Sequence, residues 1–289
     1  MAVTYWVGGG TDDKFGTADN WSNGVPGTGD VAVINDSAVD ILAEDYATAF
    51  GELRIGSGFT GSIGVVPADG EVALSVTCDT VVIDTSANAY IDATATLVTI
   101  ERSAHGDDAI RLTGDVATLR VLGARGTVVL GEAAALSVDD LEILGGRAAV
   151  IEIQSLTTLA AAPVSMDEGR LEIHGMAVAA TGRFDLIGGH LDLYGGSFDT
   201  ATMEVWGRFV VRDYRDTNST IGTINVYSGT WNGTSATADT LTIGTLRLYD
   251  GAIFDERNGL LNYIYSNGVH FAGSGTFRAA TSRKITEAS

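Results

Sequence analysis

Short triplets of apolar, polar and apolar residues recur along the chain about every 21 residues, and this period constrains the fold more than any other feature. One column runs Leu53-Arg-Ile55, Leu74-Ser-Val76, Leu97-Val-Thr-Ile100, Leu119-Arg-Val121, Leu141-Glu-Ile143, Val164-Ser-Met166, Phe184-Asp-Leu186, Met203-Glu-Val205, Ile224-Asn-Val226 and Leu246-Arg-Leu248. The interval from one member to the next stays nearly constant along the whole column. A second column follows the later members after a glycine-bearing turn: Ile110–Leu112, Val128–Leu130, Val150–Ile153, Leu171–Ile173, Leu191–Leu193, Phe209–Val211, Thr230-Trp231 and Ala252–Phe254. The turns carry Gly145-Gly146, Gly169, Gly188-Gly189, Gly207, Gly229 and Gly251, the residue type that a corner with positive φ selects. A weaker third column shows at Leu136–Val138, Leu156, Val178 and Leu241–Ile243.

Alternation within each triplet buries one face and wets the other. A strand of three to five residues cannot hide that face alone, but stacking equivalent strands about 4.8 Å apart builds one continuous core. The expected fold is therefore all-β, a single-stranded right-handed parallel β-helix of about ten coils with capped ends. A β-sandwich also repeats short strands, but it does not predict a three-strand period. A leucine-rich repeat of similar period needs an Asn ladder and a helical segment, and the sequence has neither. The expected divisions are an N-terminal cap over 1–40, the β-helix over 41–256 and a C-terminal cap and tail over 257–289.

Charge narrows the partners. With 17 Lys and Arg against 37 Asp and Glu, a net charge of −20 repels nucleic acid and anionic membrane, and the cations are scattered singly. Cys78 is the only cysteine, which excludes an intrachain disulfide and a cysteine zinc site and points to a buried apolar role.

Catalytic chemistry on a β-helix needs carboxylates close together on the wet face. The candidates Asp107-Asp108, Asp139-Asp140, Asp167-Glu168 and Arg212-Asp-Tyr-Arg-Asp216 fall in turns or at strand ends, where Asp serves the backbone. Of His105, His174, His190 and His270, only His174 and His190 fall at similar phases, and two histidines lack the third ligand that a metal site requires. The Gly-Gly pairs do not continue into a calcium-binding nonapeptide, and neither a phosphate loop nor a nucleophile elbow is present. Asn218-Ser-Thr220 and Asn232-Gly-Thr234 match a glycosylation pattern that carries weight only in an exported chain. The sequence thus points to no catalytic residue, cofactor or metal, and to a protein that is not an enzyme. Tyr194, Trp206, Tyr227, Trp231 and Tyr249 share similar phases and form either a ligand or partner face or a stacked ladder that stiffens the coils.

Both ends of such a stack need covers that differ from the repeat. At the N-terminus, Tyr5-Trp6-Val-Gly8-Gly9-Gly10 and Asp19-Asn20-Trp21-Ser-Asn-Gly24-Val-Pro26-Gly27-Thr-Gly29-Asp30 supply two indoles to plug the core and Gly and Pro to reverse the chain. Trp6, Trp21, Pro26 and Asp30 are the cap residues. A sugar-stacking site is the alternative use of the indoles. At the other end, 258–271 is the most aromatic and apolar stretch and is expected to close the stack or to join copies.

The Trp, Asn-Trp, Gly-x-Pro-x-x-Gly-Asp opening resembles that of repeats in bacterial autotransporter passengers and in β-helical bacteriophage virion proteins, and the likeness is confined to the expected N-terminal cap. The resemblance implies a β-helix on the outside of a cell or virion and brings no catalytic residue with it. The chain shows neither a signal segment nor an amphipathic membrane barrel, a departure that favours the phage family. The expectation is a structural virion protein of a tailed phage, made in the host cytoplasm, a capsid decoration or head-surface protein docked on the shell protein. By the same resemblance it is a homotrimer. A receptor-binding or polysaccharide-degrading tailspike and a surface adhesin are the alternatives.

Overall fold

The computed structural model of the chain describes residues 1–65, 73–102, 109–123, 125–132, 134–144, 147–154, 156–158, 162–165, 168–174, 183–194, 198–207, 209–214, 219–234, 240–257 and 262–279. Among these, the one helical element is a single short turn at Ala18–Asn20. The rest is a parallel β-solenoid of about nine turns, each strand pairing with its equivalent one turn on. The chain divides into two compact units.

The first unit comprises Met1–Val138 with Ala148–Val150. Val3–Tyr5 pairs with Val31–Ile34, which pairs with Glu44–Ile55, so stacking already begins within the stretch expected to be only a cap. Leu53 lies opposite Val81, Val81 opposite Val98 and Val98 opposite Leu119, so a long turn is followed by a short one and then by one of ordinary length. The triplet Leu74–Val76 belongs to another wall, opposite Glu44–Tyr46 and Ile91–Ala93. Both walls alternate in the same way, and a long turn followed by a short one leaves the mean interval almost unchanged, so spacing alone placed this triplet in the wrong column. Leu53, Val81, Val98 and Leu119 are fully buried. Each such side chain contributes about 1.5–3 kcal/mol on transfer from water. Cys78 is buried in the same core.

Two strands of this unit, Ala89–Arg102 and Ala109–Val121, run through a bend from one wall into the next without losing their pairing. Gly114, opposite Ala93, is a position where only glycine fits. Its φ is +104°, and a Cβ there would lie 2.3 Å from the Ala93 carbonyl oxygen on the neighbouring turn.

The second unit comprises Asp139–Arg147 and Ile151–Ser289. Phe184, Met203, Ile224 and Leu246 stack in register, as do Leu186, Val205, Val226 and Leu248. Two triplets sit two positions away from their expected places: Ala162 rather than Val164 faces Phe184, and Val211 rather than Phe209 faces Leu191. A slip of two keeps the same faces inward, which is why the pattern tolerates it. In the other wall Leu191, Val211, Trp231, Phe254 and Phe277 line up. The Trp231 and Phe254 rings stack at 5.9 Å, and those of Phe254 and Phe277 at 5.8 Å. Asn262–Tyr265, Val269–Phe271 and Thr276–Arg278 pair with strands of the preceding turn and form a further turn, not a separate lid.

Candidate functional site

The N-terminal segment is packed as a lid. Trp6 and Trp21 meet edge to face at 5.4 Å, and Phe15 meets Trp21 at 4.8 Å and Tyr46 at 5.0 Å. The Trp21 indole N–H donates to the Phe15 carbonyl at 2.6 Å, and that of Trp6 to the Val39 carbonyl at 3.3 Å. Asn20 is fully buried; its carbonyl accepts the Val7 and Gly8 amides, its side-chain oxygen accepts the Gly10 amide, and its side-chain NH2 donates to the Lys14 carbonyl. Pro26 is buried, and its carbonyl accepts the Tyr46 hydroxyl. Gly29 takes φ +75° in a turn closed by the Asp30 amide on the Gly27 carbonyl. Asp30 also accepts the Ala2 amide at 2.6 Å and the Gly27 amide at 3.1 Å, which hold its carboxyl below the ordinary range. Asn20, Trp21, Pro26, Gly29 and Asp30 of the pattern thus each have a structural task, and the buried indoles offer no face to a sugar.

The five aromatics expected on one face separate into three places. Trp206, Tyr227 and Tyr249 form a ladder at the end of one wall, with centroids 3.6 and 4.4 Å apart and planes 6° and 15° from parallel. Ile187, exposed, precedes Trp206 in register. Tyr194 stands in a second ladder at the end of another wall, between His174 at 4.8 Å and Tyr214 at 5.0 Å. Trp231 belongs to neither: it is fully buried in the core stack. Alternation explains its position, because Val211, Trp231 and Phe254 occupy an inward phase whatever their chemistry.

Stacking consumes the faces of the ladder rings. A ring sandwiched between two others presents only its edge to solvent, whereas a sugar ring packs against an aromatic face. Within the Trp206 ladder, only the Trp206 face towards Ile187 and the far face of Tyr249 are left. Burial first, and then the Glu204 carboxylate, push the Tyr227 hydroxyl up to about 12. Glu204 accepts from Asn225 at 3.1 Å, and Asn225 accepts from Arg247 at 3.3 Å, so the polar column beside the ladder is also bonded from turn to turn.

A charged column, which the sequence reading did not single out, runs along the outer face beside the Tyr194 ladder. Glu172, Asp192, Arg212, Asn232, Asp255 and Arg278 occupy successive turns in register. Asp192 has no exposed side-chain surface; Arg170 donates to one oxygen, and Arg212 donates to the other at 2.7 Å and to the oxygen shared with Arg170 at 3.1 Å. Arg170 also reaches Glu172 at 3.0 Å and the Tyr194 hydroxyl at 2.7 Å, and Glu172 meets His174 at 2.9 Å. Arg257, with help from Arg278, holds Asp255 well below the usual carboxylate range. The column needed the register, not the residue types, to be found, because its members lie a full turn apart in sequence.

The acidic candidates do not converge. Asp139 and Asp140 are both exposed, and Asp213 points into the core while Arg212 beside it points out. Asp107, Asp108, Asp167, Arg215, Asp216, His105, Val178, Asn218 and the Gly145-Gly146 pair lie outside the described residues. His174 and His190 are not at one phase, since the residue opposite His190 is Arg170. Among the described residues no three His, Cys, Asp or Glu side chains gather as metal ligands.

The chain matches no protein-family model, no curated protein and no solved structure. Fold and surface together define a parallel β-solenoid braced by aromatic and ionic ladders.

Proposed function

We propose that this solenoid is a structural protein of a tailed-phage virion, a capsid decoration or head-surface protein that docks on the shell protein and acts through its shape. The opening that resembles β-helical virion proteins supports the setting. The observation that carries the structural role is the mutual stacking of Trp206, Tyr227 and Tyr249, which spends on rigidity the faces that a glycan-binding groove would have to offer. The Arg170–Asp192–Arg212 column does the same with charge: the Asp192 carboxylate has no exposed side-chain surface and is bonded by two guanidinium groups. A trimer is the assembly this reading favours.

The test has two arms. Antibody against the protein is expected to label the heads of intact particles, and the purified protein to be silent on a panel of bacterial polysaccharides. Cleavage or saturable binding of a polysaccharide, or label confined to the bacterial envelope, overturns the reading.

A further inference from the structure

The tetrapeptide Ser-Asn-Gly-Val occurs twice, at Ser22–Val25 and at Ser266–Val269. In both places the asparagine is exposed, and the glycine after it takes nearly the same φ, +79° at Gly24 and +81° at Gly268. The two sites therefore carry the same intrinsic chemistry. An Asn-Gly pair can close on itself: the glycine nitrogen gives its proton to water and attacks the side-chain carbon Cγ of the asparagine. The side-chain nitrogen takes up a proton from water and leaves as ammonia, and a five-membered succinimide remains. Water then opens the ring at either carbonyl, so the asparagine becomes aspartate or isoaspartate.

The surroundings of the two sites differ where this reaction is governed. When the Gly268 nitrogen loses its proton, the negative charge is shared with the Asn267 carbonyl oxygen through the peptide bond. His270 Nε2 lies 2.8 Å from that oxygen. A carbonyl only accepts, so the imidazole donates, and it does so where charge develops. Little holds the attacking nitrogen back: the Gly268 amide donates to the Tyr265 carbonyl at 3.4 Å, beyond the usual range of such bonds. The Asn267 side chain donates to Thr245 Oγ1 at 3.2 Å, an exposed contact. At the other site Asn23 donates to the Val3 carbonyl at 2.9 Å, and among the described residues nothing donates to its own carbonyl.

A third pair, Asn232-Gly233, is locked. Asn232 pairs with Arg212 on one side and Asp255 on the other, and a Cβ on Gly233 would lie 2.4 Å from the Tyr263 hydroxyl. The strand has no room to turn for ring closure. Asn258-Gly259 lies outside the described residues.

We propose that Asn267 is a modification site of this protein, deamidated spontaneously with the help of the His270 donor. The product places a carboxylate on the turn between Asn262–Tyr265 and Val269–Phe271, and its isoaspartate form adds a methylene to the backbone there. Nothing in this depends on the virion setting.

Ageing the full chain in neutral buffer and reading its peptides by mass, with fragmentation to place each change, tests the proposal. Asn267 is expected to convert faster than Asn23, while Asn232 keeps its amide. His270→Ala, at an exposed position, is expected to slow conversion at Asn267 about fivefold and to leave Asn23 unchanged. A merely structural role for His270 predicts the opposite sign, because loosening the turn speeds ring closure. In the chain unfolded by guanidinium the two Ser-Asn-Gly-Val sites are expected to convert at one rate. Asn267 converting no faster than Asn23 in the folded chain, an unchanged or quicker rate in His270→Ala, or a lead that persists in guanidinium overturns the proposal.

Discussion

Trp206 lies face to face with Tyr227, their ring centroids 3.6 Å apart and their planes 6° from parallel. The two residues are a full turn apart in sequence and meet because the strands beneath them, Phe198–Trp206 and Ser219–Val226, are in register. Tyr227 is the middle rung, with Tyr249 on its other side. Replacing it by Ala removes two ring contacts at once and is expected to cost about 1–3 kcal/mol, from about 0.5–1.5 kcal/mol per aromatic pair. Tyr227→Phe keeps both contacts and is expected to stay within about 0.5 kcal/mol of the native chain. Urea unfolding, read by far-ultraviolet circular dichroism, measures the difference. Equal effects of the two substitutions would remove the ladder from the list of stabilising features.

Alkaline pH acts on the same rung. The Tyr227 hydroxyl is pushed from 10.0 to about 12 in the folded chain, so between those values the unfolded chain releases its proton while the folded chain keeps it. The folded state then binds more protons, and stability falls as pH rises through this window. Cys78, raised by burial from 9.0 to about 12, acts in the same sense from a lower starting pH. Thermal scans from pH 8 to 12 are expected to show a falling midpoint, and a shallower fall above pH 10 for Tyr227→Phe. A parallel fall in both proteins would contradict the assignment.

Asp192 is the joint of the charged column, with one oxygen shared by Arg170 and Arg212 and the other on Arg212. Asp192→Ala removes the carboxylate that both guanidinium groups share, leaving Arg170 with Glu172 and the Tyr194 hydroxyl, and is expected to cost about 1–3 kcal/mol. The two arginines are more than a third exposed, and water partly compensates them, so the loss stays below that of a fully buried pair. Restoring a neutral surround with Arg212→Met in the Asp192→Ala background should recover part of the loss. Additive losses in that double-mutant cycle would mean that the contact contributes nothing of its own.

The inward alternation of triplets such as Phe184–Leu186 and Met203–Val205 was legible in the sequence because turns of nearly equal length kept them in phase. Leu74 misled for the opposite reason: the long turn from Leu53 to Val81 and the short one from Val81 to Val98 exchange which wall a triplet serves. Trp231 shows a second limit. Phase along the chain distinguishes coils, but only strand register tells whether an aromatic at that phase faces the core or the solvent, and Trp231 faces the core. The Arg170–Asp192–Arg212 column was invisible because each member, taken alone, is an ordinary polar residue on a wet face.

The opening segment permits the sharpest separation of packing from hydrogen bonding. Trp21 fills the lid between Trp6 and Phe15 and donates to the Phe15 carbonyl. Trp21→Ala is expected to cost about 3–5 kcal/mol, and Trp21→Phe, which keeps a ring but loses the donor and part of the volume, about 1–3 kcal/mol. Asp30 contributes no packing comparable to this; it holds the Ala2 and Gly27 amides. Those hydrogen bonds depress its carboxyl, so their contribution is complete above the ordinary value of 3.8 and is lost as pH falls through the depressed one. Asp30→Ala is therefore expected to speed hydrogen exchange at Ala2 and Gly27 while leaving the core amides of Leu53 and Val81 protected. Exchange that quickens across the whole first unit would instead make Asp30 part of the core's own stability.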